Sequence, residues 1–436
     1  MWQPTRFDFS AYTIREDGRT VDFVYALDEK KIVETLTFHT KNPITPSPLI
    51  DRFLFNLHLI LGVSYYKVFC PHDIIVSSGA LTAQQAKFWN SVYTKGLGQF
   101  FFENRIDFRD LIHFPATEKE VPKPVEVPRT GRALVPLGGG KDSLVTCALL
   151  KKRGIAFDVF MFGSHATLAP QIAELGASEI NVTRTIDNQL LRWNEEGALN
   201  GHIPISAIFS WVALLCAAVD GYQYVLLSNE NSANVPNVDY LDMSVNHQWS
   251  KSFEYEKMLQ EYVRNFITDD ITYCSVLRPF TEVTITELFV KHCGEYFSLF
   301  TSCNKNFSIT KKATKRWCGE CPKCAFVFTL MSAFVSKKQL VEIFGKNLFA
   351  DEKLLDLYRE LFGVKNFKPF ECVGTPDEVI FAFEKAHTTG EFNDDAVMKM
   401  YIAEIAPRAP HMTEFEKRVY TRAQHLIPEE LQYIFL

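Results

Sequence analysis

Residues 135–143 read Val-Pro-Leu-Gly-Gly-Gly-Lys-Asp-Ser and carry the strongest structural signal in the chain. The apolar residues 133–137 predict a short strand before the glycines, and residues 143–152 predict a helix after them. Glycines in such a turn let the backbone approach a ligand and present N–H groups to it. The helix N-terminus adds partial positive charge. The segment therefore predicts a loop that binds phosphate or pyrophosphate.

Two well-known phosphate loops do not fit this segment. A Walker A loop needs glycine at the position of Val135 and Ser or Thr at the position of Asp142, and the dinucleotide fingerprint needs glycine at the position of Ser143. The segment resembles instead the PP-loop of the ATP pyrophosphatases, Ser-Gly-Gly-x-Asp-Ser, with Gly138 in place of the first serine. That resemblance implies cleavage of ATP between its α and β phosphates. It implies a backbone cradle at Gly138, Gly139 and Gly140, a hydroxyl contact from Ser143, phosphate neutralisation by Lys141 and magnesium binding by Asp142.

The pattern around the glycine loop predicts an α/β fold with a central parallel sheet. Predicted strands at 133–137, 156–162, 180–183 and 224–227 alternate with predicted helices. Because ligands bind beyond the carboxyl ends of parallel strands, the glycine loop and residues 228–230 should converge. We expect an N-terminal α+β domain at 1–116, a proline-rich linker at 117–132, a PP-loop catalytic domain at 133–335, and a C-terminal helical region at 336–436.

Composition sets limits on the class of protein. The 436 residues carry 46 Lys+Arg and 52 Asp+Glu, a net charge of −6, which is unlike a polyanion-binding module. Residues 1–10 show no secretory signal, and the apolar run 203–219 is short for a bilayer span and predicts a buried core helix. We therefore expect a cytoplasmic protein with reduced cysteines, no membrane association and no nucleic-acid partner.

Four of the ten cysteines are close together in sequence. Cys303, Cys318, Cys321 and Cys324 follow the spacing Cys-x14-Cys-x2-Cys-x2-Cys, in which Cys-x2-Cys turns present thiolates to one tetrahedral metal. The favoured interpretation is a structural zinc site, because four thiolates leave no open position for water. An iron–sulfur cluster and metal-free thiols are the alternatives, although the fourth cysteine of a ferredoxin run would fall at Phe328.

Three further segments extend the resemblance from a loop type to a family. Residues 227–234, 245–254 and 317–326, together with the glycine loop and the chain length, resemble the UDP-N-acetylmuramoyl-L-alanyl-L-glutamate epimerases, the MurL family. That resemblance implies inversion of the terminal L-Glu of UDP-MurNAc-L-Ala-L-Glu to D-Glu for peptidoglycan synthesis. It also implies ATP and magnesium as cofactors, an acyl-adenylate intermediate, AMP and pyrophosphate as products, and a small nucleotide-sugar peptide as substrate.

Roles for individual residues follow from their type and their position near predicted strand ends. Candidates for proton transfer are Glu230, Asp239 and His247, beside Asp142 as the magnesium-binding catalytic residue. Candidates for binding the substrate's carboxylates and amides are Asn229, Asn234, Gln248 and Lys251, with Arg184 and Arg192 as possible partners of its diphosphate.

Other functions remain open at this stage. The cysteine cluster also resembles that of the 7-cyano-7-deazaguanine synthases, which use a PP-loop but are shorter. A tRNA-modifying thiolase would call for a basic surface and a catalytic cysteine pair. A nucleotide-binding scaffold with a degenerate loop is the non-enzymatic alternative, suggested by the missing first serine and opposed by Asp142 and Ser143.

Overall fold

A computed structural model describes residues 2–118, 123–163, 167–307, 315–409 and 411–435. Residues 119–122 of the predicted linker lie outside the described part. The strands are β1 (Arg6–Ile14), β2 (Thr20–Leu27), β3 (Lys30–His39), β4 (Asp73–Val76), β5 (Ala133–Pro136), β6 (Phe157–Phe162), β7 (Glu179–Thr185), β8 (Tyr224–Leu227), β9 (Val238–Tyr240), β10 (Met243–Val245) and β11 (Thr272–Ser275).

Helices surround these strands. The α-helices are α1 (Pro48–Leu61), α2 (Val63–Tyr66), α3 (Ala83–Gly96), α4 (Gly98–Asn104), α5 (Lys141–Lys152), α6 (Ala169–Leu175), α7 (Asn188–Glu195), α8 (Ile205–Asp220), α9 (Phe253–Phe266), α10 (Glu282–His292), α11 (Pro322–Ser332), α12 (Lys337–Phe344), α13 (Leu355–Leu361), α14 (Pro376–Thr389), α15 (Ala396–Met400) and α16 (Met412–Tyr420). A π-helical turn, Tyr401–Ile405, continues α15, and short 3-10 helices include Asn231–Asn234 and Trp249–Lys251.

One mostly parallel sheet forms the centre of the described structure. Its strand order is β11-β8-β5-β6-β7-β3-β2-β1-β4, and the strands from β11 to β7 are all parallel. The mixed α/β class with a large, mostly parallel sheet is therefore confirmed. β9 and β10 form a separate two-stranded hairpin.

The N-terminal strands extend this same sheet. β3 pairs antiparallel with β7, with Phe38 opposite Val182. At this junction Arg184 donates two hydrogen bonds to Glu34, at 2.8 and 3.0 Å, and both side chains are buried. The predicted boundaries at 116 and 132 thus fall between segments that share one sheet, and the domain division remains a prediction.

The two faces of the sheet carry two hydrophobic cores. In one core, the N-terminal strands and helix α1 pack against helix α8. This core is rich in aromatic rings such as Trp89 and Trp211, which stack 5.7 Å apart. The other core joins α5 and α10 to the C-terminal helices. The predicted helix at 203–219 is α8, and most of its residues are buried, as expected for a core helix. No helix in the described ranges is long and apolar enough to cross a bilayer.

Candidate active site

The glycine loop lies at the point where the connections of the sheet reverse direction. From β5 the chain continues to β6 and β7 on one side, and it returns through α8 to β8 on the other side. The carboxyl ends of β5 and β8 are therefore neighbours, which is where parallel sheets bind ligands. The hydroxyl groups of Thr146, on α5, and Ser228, after β8, lie 2.7 Å apart. The expected convergence of the two segments is confirmed.

The middle glycine of the loop is required by its geometry. Gly139 has φ +78°, and a Cβ there would lie 2.6 Å from Cδ2 of Leu168. Its carbonyl accepts hydrogen bonds from the Thr301 backbone N–H at 2.9 Å and from Gln171 Nε2 at 3.0 Å. Gly138 is exposed, and a Cβ at that position would meet nothing within 4 Å. Gly140 caps α5, whose first-turn N–H groups have no partner within the helix, as at any helix start.

Three carboxylates meet at the start of α5. Asp142, Glu230 and Glu282 each place one oxygen within 4.8 Å of the others, and Glu230 and Glu282 are buried. These residues, which we call the acidic cluster, come from α5, the end of β8 and the start of α10. Buried carboxylate oxygens in such a group suit a hard divalent cation such as Mg²⁺.

Two lysines neutralise part of the acidic cluster. The ammonium group of Lys141, itself buried, hydrogen-bonds both Asp142 and Glu282. Lys323, on α11, lies 3.8 Å from Glu282. Burial raises the pKa of Glu230 to about 7, and the neighbouring carboxylates of Glu282 and Asp142 add to the rise. Burial would also raise the pKa of Glu282, but Lys141 and Lys323 outweigh it and the net pKa is lowered.

A buried ion pair behind the acidic cluster fixes the strand ends. Arg278, which is fully buried, lies 2.8 Å from the Glu256 carboxylate through Nη2. Its Nη1 donates to the carbonyl of Glu230 at 2.6 Å, and its Nη2 donates to the carbonyl of Lys251 at 2.5 Å. Glu256 also accepts the backbone N–H of Ser275 at 2.9 Å. One guanidinium group thus holds two candidate site segments against the end of β11.

The four clustered cysteines come together as their spacing predicts. All four Sγ atoms lie within 4.8 Å of one another, with Cys318 and Cys321 at 3.6 and 3.4 Å from Cys324. Around one zinc ion with Zn–S bonds of about 2.3 Å, tetrahedral geometry places sulfurs about 3.8 Å apart. Backbone N–H groups donate to the sulfurs, including those of Cys318 and Glu320 at 3.4 Å. The cluster can therefore hold a metal ion.

The cysteine cluster supports the glycine loop and the acidic cluster. Thr301, two residues before Cys303, donates to Gly139, and its hydroxyl donates to the carbonyl of Arg316 at 2.6 Å. Cys321 is the N-cap of α11, the helix that carries Lys323 to Glu282. A metal bound by the cysteines would thus fix one wall of the site.

The remaining sequence-predicted residues divide between the interior and the rim. His247, Gln248 and Lys251 lie inward: Gln248 is buried, and Lys251 Nζ donates to Cys372 Sγ at 3.2 Å. Asn229 is half-buried and its carbonyl accepts from Ser275 Oγ at 2.7 Å. Asn234 is exposed and accepts the Phe253 backbone N–H at 2.7 Å. Asp239 is exposed on the β9–β10 hairpin and accepts from Ser244 Oγ at 2.6 Å.

The two arginines considered for the diphosphate lie elsewhere. Arg184 is committed to Glu34 and to Ser64, whose hydroxyl lies 2.8 Å from its Nη2. Arg192 is an exposed residue of α7.

Sequence reasoning missed several residues of the site. Glu282, Arg278 and Cys372 belong to no motif that the sequence displays. Lys323 lies within the cysteine spacing, but that spacing does not indicate its contact with Glu282. All four residues reach the site only through the fold. The one available signal was the position of Glu282 and Arg278 shortly after β11, a third parallel strand end.

These features define an α/β protein in which a glycine loop and a metal-capable acidic cluster share the switch point of a parallel sheet. Family models agree with a more specific assignment. A model described as the MurL N-terminal domain matches residues 2–276, and a model described as the MurL C-terminal domain matches residues 299–416.

Whole-chain relatives agree with the family models. The chain is 34% identical to the UDP-N-acetyl-alpha-D-muramoyl-L-alanyl-L-glutamate epimerase of Xanthomonas oryzae pv. oryzae (strain MAFF 311018), over 98% of this chain and 96% of the relative. It is 33% identical to proteins of the same name from Salinispora tropica, over 95% and 92%, and from a Micromonospora species, over 91% and 90%. The chain belongs to the MurL family.

Proposed function

We propose that this protein is an ATP-dependent epimerase that inverts the terminal L-Glu of UDP-MurNAc-L-Ala-L-Glu to D-Glu for peptidoglycan synthesis. The reaction would pass through an acyl-adenylate and release AMP and pyrophosphate. The names of the relatives support the substrate and the epimerisation. The observation that carries the ATP-dependent mechanism is the glycine loop at the start of α5 beside the acidic cluster.

Adenylation explains why an epimerase would keep a nucleotide site. Removal of the α proton from a free carboxylate builds a second negative charge on the same group. An adenylated carboxyl is a neutral acyl group, so its α proton is far more acidic. Hydrolysis of the acyl-adenylate after proton exchange then makes the sequence irreversible.

Different residues at the loop would make different contacts with ATP. The backbone of Gly138, Gly139 and Gly140 would cradle the phosphates, with a hydroxyl contact from Ser143. Lys141 neutralises the acidic cluster in the structure and would turn toward phosphate when ATP is bound. The oxygens of Asp142, Glu230 and Glu282 would hold Mg²⁺, which neutralises charge on the phosphates during the displacement.

Three lysines near the acidic cluster suit an anionic peptide. Lys323 is buried and Lys251 half-buried close to the acidic cluster, and the half-buried Lys368 has its pKa lowered by burial. Glutamate brings two carboxylates, of which one is to be adenylated, so a cationic wall would orient the other. The amide groups of Gln248, which is buried, and Asn229, which is half-buried, would also contact the peptide, whereas Asn234 and Asp239 are exposed.

The cysteine cluster would hold a structural zinc ion. Four thiolates form a closed tetrahedral set without a position for water, so this metal would take no part in the reaction. Its contribution is to fix Thr301 against the glycine loop and α11 against the acidic cluster.

The test is a single reaction followed by two products. The protein is incubated with ATP, Mg²⁺ and UDP-MurNAc-L-Ala-L-Glu in heavy water, and we expect substrate-dependent AMP together with deuterium at the glutamate α carbon. Glu282→Gln should reduce AMP formation at least about 100-fold, because it removes charge that the metal requires. Glu261→Gln, on the exposed face of α9, is the matched control and should leave the rate unchanged. Folded wild-type protein that binds ATP yet forms neither AMP nor deuterated product would refute the proposal.

A further inference from the structure

A second reactive group, the thiol of Cys372, lies near the acidic cluster, and it belongs to no sequence motif. Cys372 lies between α13 and α14, in the predicted C-terminal helical region. Lys251 Nζ is 3.2 Å from its Sγ, and His247 Nε2 is 3.8 Å from it. Lys323 donates to the carbonyl oxygen of Cys372 while its ammonium group lies 3.8 Å from Glu282. A thiol, an imidazole and an ammonium group therefore meet next to the proposed metal site.

The hydrogen bonds of His247 define which of its nitrogens is free. Gln99 donates through Nε2 to the Glu103 carboxylate at 2.8 Å, which leaves its Oε1 to face His247 Nδ1 at 2.6 Å. An amide oxygen only accepts, so Nδ1 carries the proton and Nε2 presents its lone pair toward Cys372. Burial, followed by the charge of Lys251, lowers the pKa of His247 to about 3, so the ring is neutral at neutral pH.

The charges around Cys372 favour its thiolate. Burial alone would raise the pKa of this thiol, but Lys251 and Lys323 outweigh burial and the net pKa is lowered. The same interaction stabilises the charged form of Lys251: the charge of Cys372 is the largest cause of its raised pKa. The described cysteines of the two cores contrast with this, since burial raises the pKa of Cys293 to about 12.

An unpartnered polar atom on the same wall indicates a missing ligand. Gln248 is 3% exposed, and its Nε2 donates to the carbonyl of Val373, the residue after Cys372, at 3.4 Å. Its Oε1 is buried and has no hydrogen-bond partner. A buried amide oxygen without a partner is costly, so a donor from a bound molecule is expected there. The N–H of a peptide bond in the substrate is such a donor.

We propose that Cys372 is the base that removes the α proton of the substrate glutamate, with Lys251 as the counterion of its thiolate and His247 Nε2 as the hydrogen-bond acceptor of the thiol that forms. The inference rests on the proposed function, because it takes the acyl-adenylate as the substrate of this step. Glu230 and Glu282, the two buried carboxylates of the acidic cluster, are assigned to Mg²⁺ in the proposed function.

The proposed step is balanced in atoms and charge. The thiolate forms an S–H bond as the Cα–H bond breaks, and the C–H electron pair moves into the adenylated carboxyl to give an enolate. Water delivers a proton to the opposite face of Cα, and the electron pair of the enolate forms the new C–H bond. The thiol, hydrogen-bonded to His247 Nε2, then gives its proton to the hydroxide left by the water and returns to the thiolate.

The test separates adenylation from proton exchange in the full-length protein. Cys372→Ser keeps the size of the side chain but replaces the thiol with a far weaker acid, and Cys372→Ala removes the group. With UDP-MurNAc-L-Ala-L-Glu, ATP and Mg²⁺ in heavy water, we expect deuterium incorporation at Cα to fall about 100-fold or more, as for loss of a general base. Exchange of labelled pyrophosphate into ATP, which reports adenylation, should change by less than about 3-fold. Cys293→Ala, in the C-terminal core, is the matched control and should change neither rate.

Each result has one meaning. Deuterium incorporation within a few-fold of wild type in both Cys372 variants would overturn the role of Cys372 as base. Equal losses of both rates in a folded variant would also overturn it, because they would show a role in binding or adenylation. If the wild-type protein shows no exchange of pyrophosphate into ATP, the proposed function itself is refuted, and this result needs no variant. A thiolate absorbance near 240 nm that disappears in Cys372→Ser but not in Cys293→Ala would support the charge state.

Discussion

Replacement of Arg278 with methionine should both destabilise the protein and increase the mobility of the site segments at Glu230 and Lys251. The guanidinium group is fully buried, lies 2.8 Å from the Glu256 carboxylate, and holds the carbonyls of Glu230 and Lys251. At an effective dielectric constant of about 20, two charges at this distance attract by about 6 kcal/mol, which desolvation partly offsets. Arg278→Met leaves a buried carboxylate without its partner, and the expected loss of stability is about 3–5 kcal/mol.

The loss should depend on pH in a definite direction. Burial raises the pKa of Glu256 even in the presence of Arg278, and without the arginine it should rise further above the unfolded value of about 4.3. The folded variant then binds more protons than its unfolded state, so its stability should fall as pH rises through that interval. The double variant Arg278→Met with Glu256→Gln removes the unpaired charge and should recover part of the loss and abolish the extra pH dependence.

The assay is thermal unfolding at about pH 5.5 and about pH 8, with hydrogen exchange of residues 228–231 and 251–253 as a local readout. Both segments should exchange faster in Arg278→Met than in wild type, because each loses a hydrogen bond to its carbonyl. A decrease in the free energy of unfolding below about 1 kcal/mol, equal at both pH values, would refute the reasoning, because a buried unpaired carboxylate should destabilise the folded state by more than that.

Three further changes test the loop, the cysteines and the acidic cluster. Gly139→Ala should lower folding stability by about 1–2 kcal/mol through backbone strain, and by more through overlap with Leu168. Its ATP affinity, measured by calorimetry, should fall as well. Gly138→Ser, at an open position, should change stability by less than about 0.5 kcal/mol. Cys318→Ser should abolish stoichiometric zinc, measured by mass spectrometry of the purified protein, and lower the unfolding temperature; full zinc retention would contradict the four-thiolate site. Lys141→Met removes the cation that bonds two carboxylates, so Mg²⁺ should raise the unfolding temperature more in this variant than in wild type; an equal or smaller rise would contradict a cation site there.

The central sheet and the phosphate loop could be predicted because their signals are local. A strand, three glycines and a helix follow one another within 20 residues, and the apolar run of α8 is long enough to identify a core helix by itself. The convergence of the glycine loop with Ser228 and Glu230 followed from one topological rule about parallel strands. The cysteine cluster followed from spacing alone.

The rest of the site could not be predicted because it depends on distant pairings. Glu282 meets Asp142 across 140 positions in sequence, and the hydrogen bond between Lys251 and Cys372 spans 121 positions. An isolated glutamate at the start of a helix or a single cysteine in a loop carries no pattern from which such a partner could be inferred. Composition also gave no hint that β3 would pair with β7 and extend the sheet by four strands.

The C-terminal region completes the site, although the recognisable motifs all precede it. Glu378 on α14 accepts the backbone N–H of Glu282 at 2.7 Å and the hydroxyl of Ser232 at 2.6 Å, so its carboxylate fixes the start of α10 beside the acidic cluster. The chain just before α14 supplies Cys372, and α11 supplies Lys323 to the carbonyl of Cys372. A truncation after α11 would therefore remove the proposed base together with the support of a proposed metal ligand. The predicted boundary at 335 and 336 passes through the neighbourhood of the site, and the glycine loop and the cysteines form only one of its walls.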